Sequence, residues 1–150
     1  MTIDVVQIEL VTKSKIDLPN FEEFVYNAKT AGKIFARLIG HCNVENVGII
    51  CINSGNKILN YSTLAIGNSD NVSISVAQIF KTILLSNATK FIIAHNHPSG
   101  ILEATPQDIE LTKNVGAISK LFGITFIDSL IVNGKEEIYS IREHLNEYNK

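Results

Sequence analysis

Apolar and polar positions change period several times along the chain, and each change marks an element. Val6, Ile8 and Leu10 alternate with Gln7 and Glu9, the two-residue period of a half-buried strand, before Leu18-Pro19-Asn20 interrupts. The period then becomes helical. Phe21, Phe24, Val25, Ala28, Ala31, Phe35 and Leu38 share one face and Gly40 supplies a stop, which predicts a long first helix. Val47 to Ile52 is a continuous apolar run, Ser54-Gly55-Asn56-Lys57 a turn, and Ile58 to Ile66 a second strand, together a hairpin. Val76, Ile79, Phe80, Ile83 and Leu84 form an amphipathic stripe, and Lys90 to Ala94 reads as a strand covered on both faces. Thr105-Pro106 opens another helix, carried by Leu111, Val115, Ile118, Leu121 and Phe122 to Gly123. Ile124 to Val132, an Asn133-Gly134 turn and Ile138-Tyr139 predict a closing hairpin. Helices interleaved with mixed strands imply a layered α/β domain, helices on both faces of a central sheet.

Composition narrows this only modestly. At 150 residues and 45% hydrophobic content, the chain suits one domain, residues 1–150, with a true core. The net charge is -2, and Lys and Arg read as scattered singly rather than gathered on one helix face. Nucleic-acid binding therefore gains no support from charge, although a local basic patch is compatible with it. No stretch is long enough to span a bilayer and no basic leader precedes MTIDVVQIEL, so a cytoplasmic protein is expected. Cys42 and Cys51 are too few and too loosely spaced for a disulfide framework or a CxxC site, and read as core thiols.

The chemistry concentrates in HNHPSG, His95 to Gly100, closed by Asp108. Residues i and i+2 of an extended chain project to one side, so His95 and His97 can aim both imidazoles at one point while Asn96 faces away. Pro98 pushes His97 toward extended geometry, and Gly100 permits a sharp exit. Asp108 is the third helical residue if Thr105 is the N-cap, which places its carboxylate at the positive end of that helix. Thr105 with Asp108 also resembles a capping box, which needs no metal. Beside two histidines, however, the aspartate completes three protein ligands of a catalytic zinc site and leaves a fourth position for water.

Such a site needs a proton carrier. Glu45, at the entrance to the Val47 to Ile52 run, is a candidate, although an acid at a strand entrance is usually simply solvated. Glu103, between the histidines and Asp108, is the local competitor. Thr105 could offer its hydroxyl to a developing oxyanion while its oxygen caps the helix. Ser99 reads as a turn hydroxyl, and His41 and His144 as surface or helix-end histidines. The letters HNH do not make an endonuclease, whose residues spread over a strand-strand-helix unit, and the acid and PCxxC of a zinc deaminase are missing.

Glu45, HNHPSG, Thr105 and Asp108 resemble the JAMM signature of JAB/MPN metalloproteases, specifically the RadC-like branch. The likeness extends over ATKFIIAHNHPSG, DIELTKNVG and GITFIDSLIVNGKEEIYSIRE, and so covers roughly Glu45 to Glu143. It implies a cytidine-deaminase-like α-β-α fold, one Zn2+ held by His95, His97 and Asp108, and Glu45 as acid and base. Similar chains carry Pro-Ser where this one has Ala104-Thr105, Asp-His at Asp128-Ser129, and Pro-Arg-Glu at Ser75-Val76-Ala77. The helix-hairpin-helix segment that often precedes the domain has no room here, so the chain is expected to resemble the isolated catalytic module.

These readings converge on a zinc hydrolase that cleaves an amide or isopeptide bond in a peptide or protein substrate. The resemblance also implies an alternative, a DNA-repair-associated module. A third is an interaction domain that keeps the fold without catalysis. Oligomeric state and substrate identity are not written in the pattern.

Overall fold

A computed structural model describes residues 1–67 and 74–148. The elements run α1 (Ala28–Ile39), β1 (Asn46–Ile52), β2 (Ile58–Ile66), α2 (Val76–Leu85), β3 (Lys90–Asn96), α3 (Pro106–Phe122), β4 (Thr125–Val132), β5 (Ile138–Ser140) and α4 (Ile141–Tyr148). The strands form one sheet in the order β2-β1-β3-β4-β5. β3 and β4 are parallel, with α3 as their crossover, and the other neighbours are antiparallel. The mixed, layered α/β architecture implied by the sequence is the one observed.

The apolar pattern explains the layers. α1 buries Ile34, Phe35 and Ile39 against Ile50, Ile92 and Leu130 on one face of the sheet. Ile79 and Ile83 of α2 and Val115 of α3 pack against Ile49, Phe91 and Ile93 on the other. Each such side chain contributes about 1.5–3 kcal/mol on full burial, which is why the two central strands read as unbroken apolar runs. β1 is buried along its whole length. α3 starts where its cap chemistry dictates: Thr105 and Asp108 form a capping box, Pro106 occupies the first turn, and Gly123 at φ 66° ends the helix in left-handed geometry.

Four expectations need correction. The N-terminal alternation makes no strand: residues 1–17 are exposed, without regular structure and paired with none of the five strands. The first helix begins at Ala28 rather than Phe21, since Asn27 caps it by accepting from the Thr30 N–H at 2.9 Å. Residues 23–25 instead run beside the start of β2, where Phe24 bridges Lys57. Their helical spacing is satisfied by an extended segment that still buries Val25. The closing connection is wider than an Asn133-Gly134 turn: Asn133 Oδ1 accepts from Lys135 and Glu137 N–H, and Glu136 takes the positive φ of 61°. Finally, Lys29, Lys33 and Arg37 stand four residues apart on the exposed side of α1, a basic row bordered by Glu22 and Glu136, so these cations are not scattered singly.

α4 was absent from the sequence reading. Its first turn is fixed by Asp128, which is buried and accepts from the Ser140 hydroxyl at 2.6 Å and the Arg142 N–H at 3.3 Å. Arg142 in turn donates to the Phe126 and Ile127 carbonyls and lies over the Phe126 ring. Burial pushes the Asp128 carboxyl upward, with these hydrogen bonds opposing it. Among the described residues, no helix is long and apolar enough to cross a membrane.

Candidate metal centre

β3 ends in a turn that aims two imidazoles together. His95 is its penultimate residue, and the Gly100 N–H closes on the His97 carbonyl at 2.8 Å with Gly100 at φ 79°. That left-handed geometry suits glycine. His97 Nδ1 lies 2.8 Å from the Ile101 carbonyl. A carbonyl only accepts, so Nδ1 carries a hydrogen and Nε2 is the nitrogen left to face His95 and Asp108. Asn133, itself buried, donates to the Gly100 carbonyl at 3.2 Å and so ties this turn to the end of β4.

His95 Nε2 and His97 Nε2 are 3.0 Å apart, His95 Nε2 and Asp108 Oδ1 3.2 Å, and His97 Nε2 and Asp108 Oδ2 3.6 Å. Nitrogen and oxygen ligands about 2.0–2.1 Å from a tetrahedral zinc lie about 3.4 Å from one another, so the triangle has the size one ion requires. Glu45 Oε1 stands 4.0 Å from His95 Nε2, and ligand atoms of all four residues fall within 4.8 Å of one another. The donor set of two imidazoles and carboxylates fits zinc.

The capping and clustering roles of Asp108 coexist. Its Oδ2 accepts the Thr105 N–H at 2.8 Å while Oδ1 faces His95. Burial alone would raise the Asp108 carboxyl. Hydrogen bonds from His95 and His97, the His95 charge and the Thr105 amide outweigh it and hold the group well below the usual carboxylate range. The Asp108 bond likewise raises His97, helped by the Ile101 carbonyl and opposed by burial.

Thr105 sits at the exposed N-cap and accepts from the Asp108 N–H at 3.2 Å. It is not among the four converging residues. Glu103 is exposed and outside the group; Ser99 accepts from the Ile101 N–H as a turn hydroxyl. His41 packs beside Gly134 and His144 beside Tyr139, both away from the cluster. Both cysteines are free; Cys51 is buried and its thiol is raised by desolvation.

Asn96 is the residue whose part the sequence reading missed. It is fully buried, on the opposite side of β3 from the histidines. Its Oδ1 accepts the Asn46 N–H at 2.6 Å, and its Nδ2 donates to the Cys42 and Val44 carbonyls, both at 3.1 Å. All three partners flank Glu45, whose own carbonyl accepts the Gly67 N–H at 2.7 Å. The middle letter of HNH thus clamps the segment bearing Glu45 against the strand bearing the imidazoles. The signal available in the sequence was a buried amide between two outward-facing residues.

Comparison with known proteins places this arrangement in context. A family model described as RadC-like JAB domain matches residues 25–146. The chain is 38% identical over 102 residues to a UPF0758 protein of Trichormus variabilis, covering 67% of this chain and 41% of that one. It is 30% identical over 135 residues to a UPF0758 protein of Fusobacterium nucleatum, covering 90% and 57%. A UPF0758 protein of Finegoldia magna is 30% identical over 109 residues, covering 73% and 49%. The chain spans about half the length of the curated relatives it matches.

Proposed function

The chain belongs to the RadC-like JAB domain family, and from that premise we propose that it is a zinc-dependent hydrolase of amide or isopeptide bonds in a peptide or protein substrate. The observation that carries this reading is the convergence of Glu45, His95, His97 and Asp108 from two separate strands and a helix N-terminus. His95, His97 and Asp108 would hold the ion. Zinc bound there supplies a Lewis acid that polarises a water and a substrate carbonyl.

The protein's own groups do the rest. Glu45, its Oε1 4.0 Å from His95 Nε2, takes the proton from the attacking water and passes it to the departing nitrogen. The Thr105 hydroxyl has a hydrogen left to donate toward an oxyanion, since its oxygen only accepts from the Asp108 amide. His97 is locked in the tautomer that presents Nε2, and Asp108 is already ionised, so little reorganisation precedes metal uptake.

The test is metal stoichiometry followed by turnover. Purified protein stripped with a chelator should take up one zinc per chain, and His97→Ala and Asp108→Ala should lose that uptake. Glu45→Gln should keep zinc while losing cleavage of a profiled amide or isopeptide library. Absence of stoichiometric uptake removes the mechanism. Turnover unchanged by Glu45→Gln removes the role of Glu45, and zinc uptake with no turnover across the library favours the noncatalytic interaction domain.

A further inference from the structure

Residues 1–17 leave their apolar side chains in water: Ile3, Val5, Val6, Ile8, Leu10 and Val11 are all exposed, Ile8 at 75%. That composition, rich in β-branched residues, is one that forms strands and not one that stays unfolded. The sheet offers a matching vacancy. Residues 23–25 cover only the start of the outer side of β2, through the Val25 N–H on the Asn56 carbonyl and the Ile58 N–H on the Glu23 carbonyl. From residue 59 to residue 66 no described residue pairs with that edge. Exposed apolar groups surround it: Leu59 and Ile66 on the strand, and Leu84 and Leu85 on α2, whose cap Ser86 accepts from Asn60 of β2.

We propose that residues 3–11 are a docking arm for a second copy of this chain, adding as an extra strand to its β2 edge. The same chain's arm is poorly placed for that edge. A reverse turn, closed by the Phe21 N–H on the Leu18 carbonyl with Asn20 at φ 71°, breaks its line before the arm begins. Leu18 and Phe21 then anchor that turn in the core beneath α1. A second copy removes the conflict. Each copy carries one arm and one edge, so reciprocal exchange closes as a two-fold dimer with nothing left over. Eight edge residues and a similar length of arm from each copy, with Leu84 and Leu85 beside them, approach the twenty or more residues a side of a stable specific interface. Unpaired edges and apolar strands left in water invite uncontrolled association, and mutual pairing disposes of both.

The proposal does not depend on the catalytic reading. Sedimentation velocity and light scattering on the full chain should give about twice 16.5 kDa at micromolar concentration. Ile8→Asp in the arm and Leu59→Lys on the edge should each give a monomer, and both replace exposed side chains, so folding is not at risk. Mixed together, the two variants should recover a heterodimer, since one retains its edge and the other its arm. A parent chain that is monomeric throughout overturns the proposal, including the case of an arm folded onto its own domain. A dimer that survives Ile8→Asp overturns it as well. Loss with Ile8→Asp but not with Leu59→Lys assigns pairing to arm against arm and overturns the edge as its seat.

Discussion

Replacing Asn96 by alanine probes how the two halves of the site are held together. The Asn46 N–H loses its acceptor and the Cys42 carbonyl its donor, whereas the Val44 carbonyl keeps the Asn46 side chain at 3.0 Å. Two backbone groups around a fully buried position are therefore stranded. At about 1–3 kcal/mol for each buried orphan, the loss is roughly 2–6 kcal/mol. For a chain of this length that corresponds to a fall of roughly 4–24 °C in Tm. Asn96→Asp sharpens the test, because it preserves volume and the acceptor for Asn46 but sets a second oxygen against two carbonyls. It should be as damaging as alanine near neutral pH. Zinc uptake should persist in both variants wherever they remain folded, since neither change touches His95, His97 or Asp108, and turnover should fall with the displacement of Glu45. Thermal unfolding by circular dichroism, paired with zinc titration, reads both outcomes. A Tm within about 2 °C of the parent, less than 1 kcal/mol for this size, would refute the clamp, as would loss of zinc without loss of stability.

Further expectations concern pH, caps and packing. In metal-free protein the depressed Asp108 group contributes stability present above its ordinary value of 3.8 and lost as pH falls toward its folded pKa; the raised His97 contributes below 6.5 and is lost as pH climbs through its higher folded value. Metal-free stability should thus be greatest between about pH 4 and 6.5, while the stabilisation added by zinc should grow with pH because a proton competes with the ion for the raised His97; unfolding across pH with and without zinc checks both, and parallel profiles would contradict the assignment. Thr105→Ala should cost about 1 kcal/mol through the lost N-cap while Thr105→Ser costs little, and equal Tm values for the two would deny the cap. Gly40→Ala should destabilise severely, because the new methyl would meet the backbone carbonyl oxygens of Ala36 and, at 2.5 Å, Asn133; normal expression and an unchanged Tm would contradict that packing. Duplex DNA should show no affinity that falls as salt rises; such a slope, reduced by Lys33→Ala, would turn attention to the row on α1 and the DNA-associated alternative.

Much of the fold was legible because its signals were local. The alternation between continuous apolar runs and helical stripes located β1, β3, α2 and α3, and Thr105, Pro106 and Gly123 framed α3. The candidate ligands were legible for the same reason: His95 and His97 alternate on one strand, and Asp108 follows at a readable cap. What stayed hidden depended on distant partners. Phe21, Phe24 and Val25 have helical spacing, but pairing with Asn56, Lys57 and Ile58 decides their conformation. α4 is only eight residues long, and although Ile141, Leu145 and Tyr148 recur at helical spacing, its start is specified by a buried aspartate twelve residues before Ser140. Glu45 was a candidate from its place before β1, but only the family resemblance set it above an ordinary solvated acid, since its neighbours come to it from residue 67 and residue 96.

The parallel pairing of β3 with β4 across α3 has a consequence for assembly. His95, His97 and Asp108 all belong to this one continuous stretch, whereas Glu45 joins them only after β1 slots in beside β3, through contacts fifty residues apart in sequence. Loops of that length close at greater entropic cost than the short one between strand and helix. A refolding chain that has organised only its later portion would already own the grip for an ion while lacking the group that moves protons. On the proposed reading, such a half-built molecule is inert toward its surroundings, and hydrolytic competence arrives with the last long-range strand to dock.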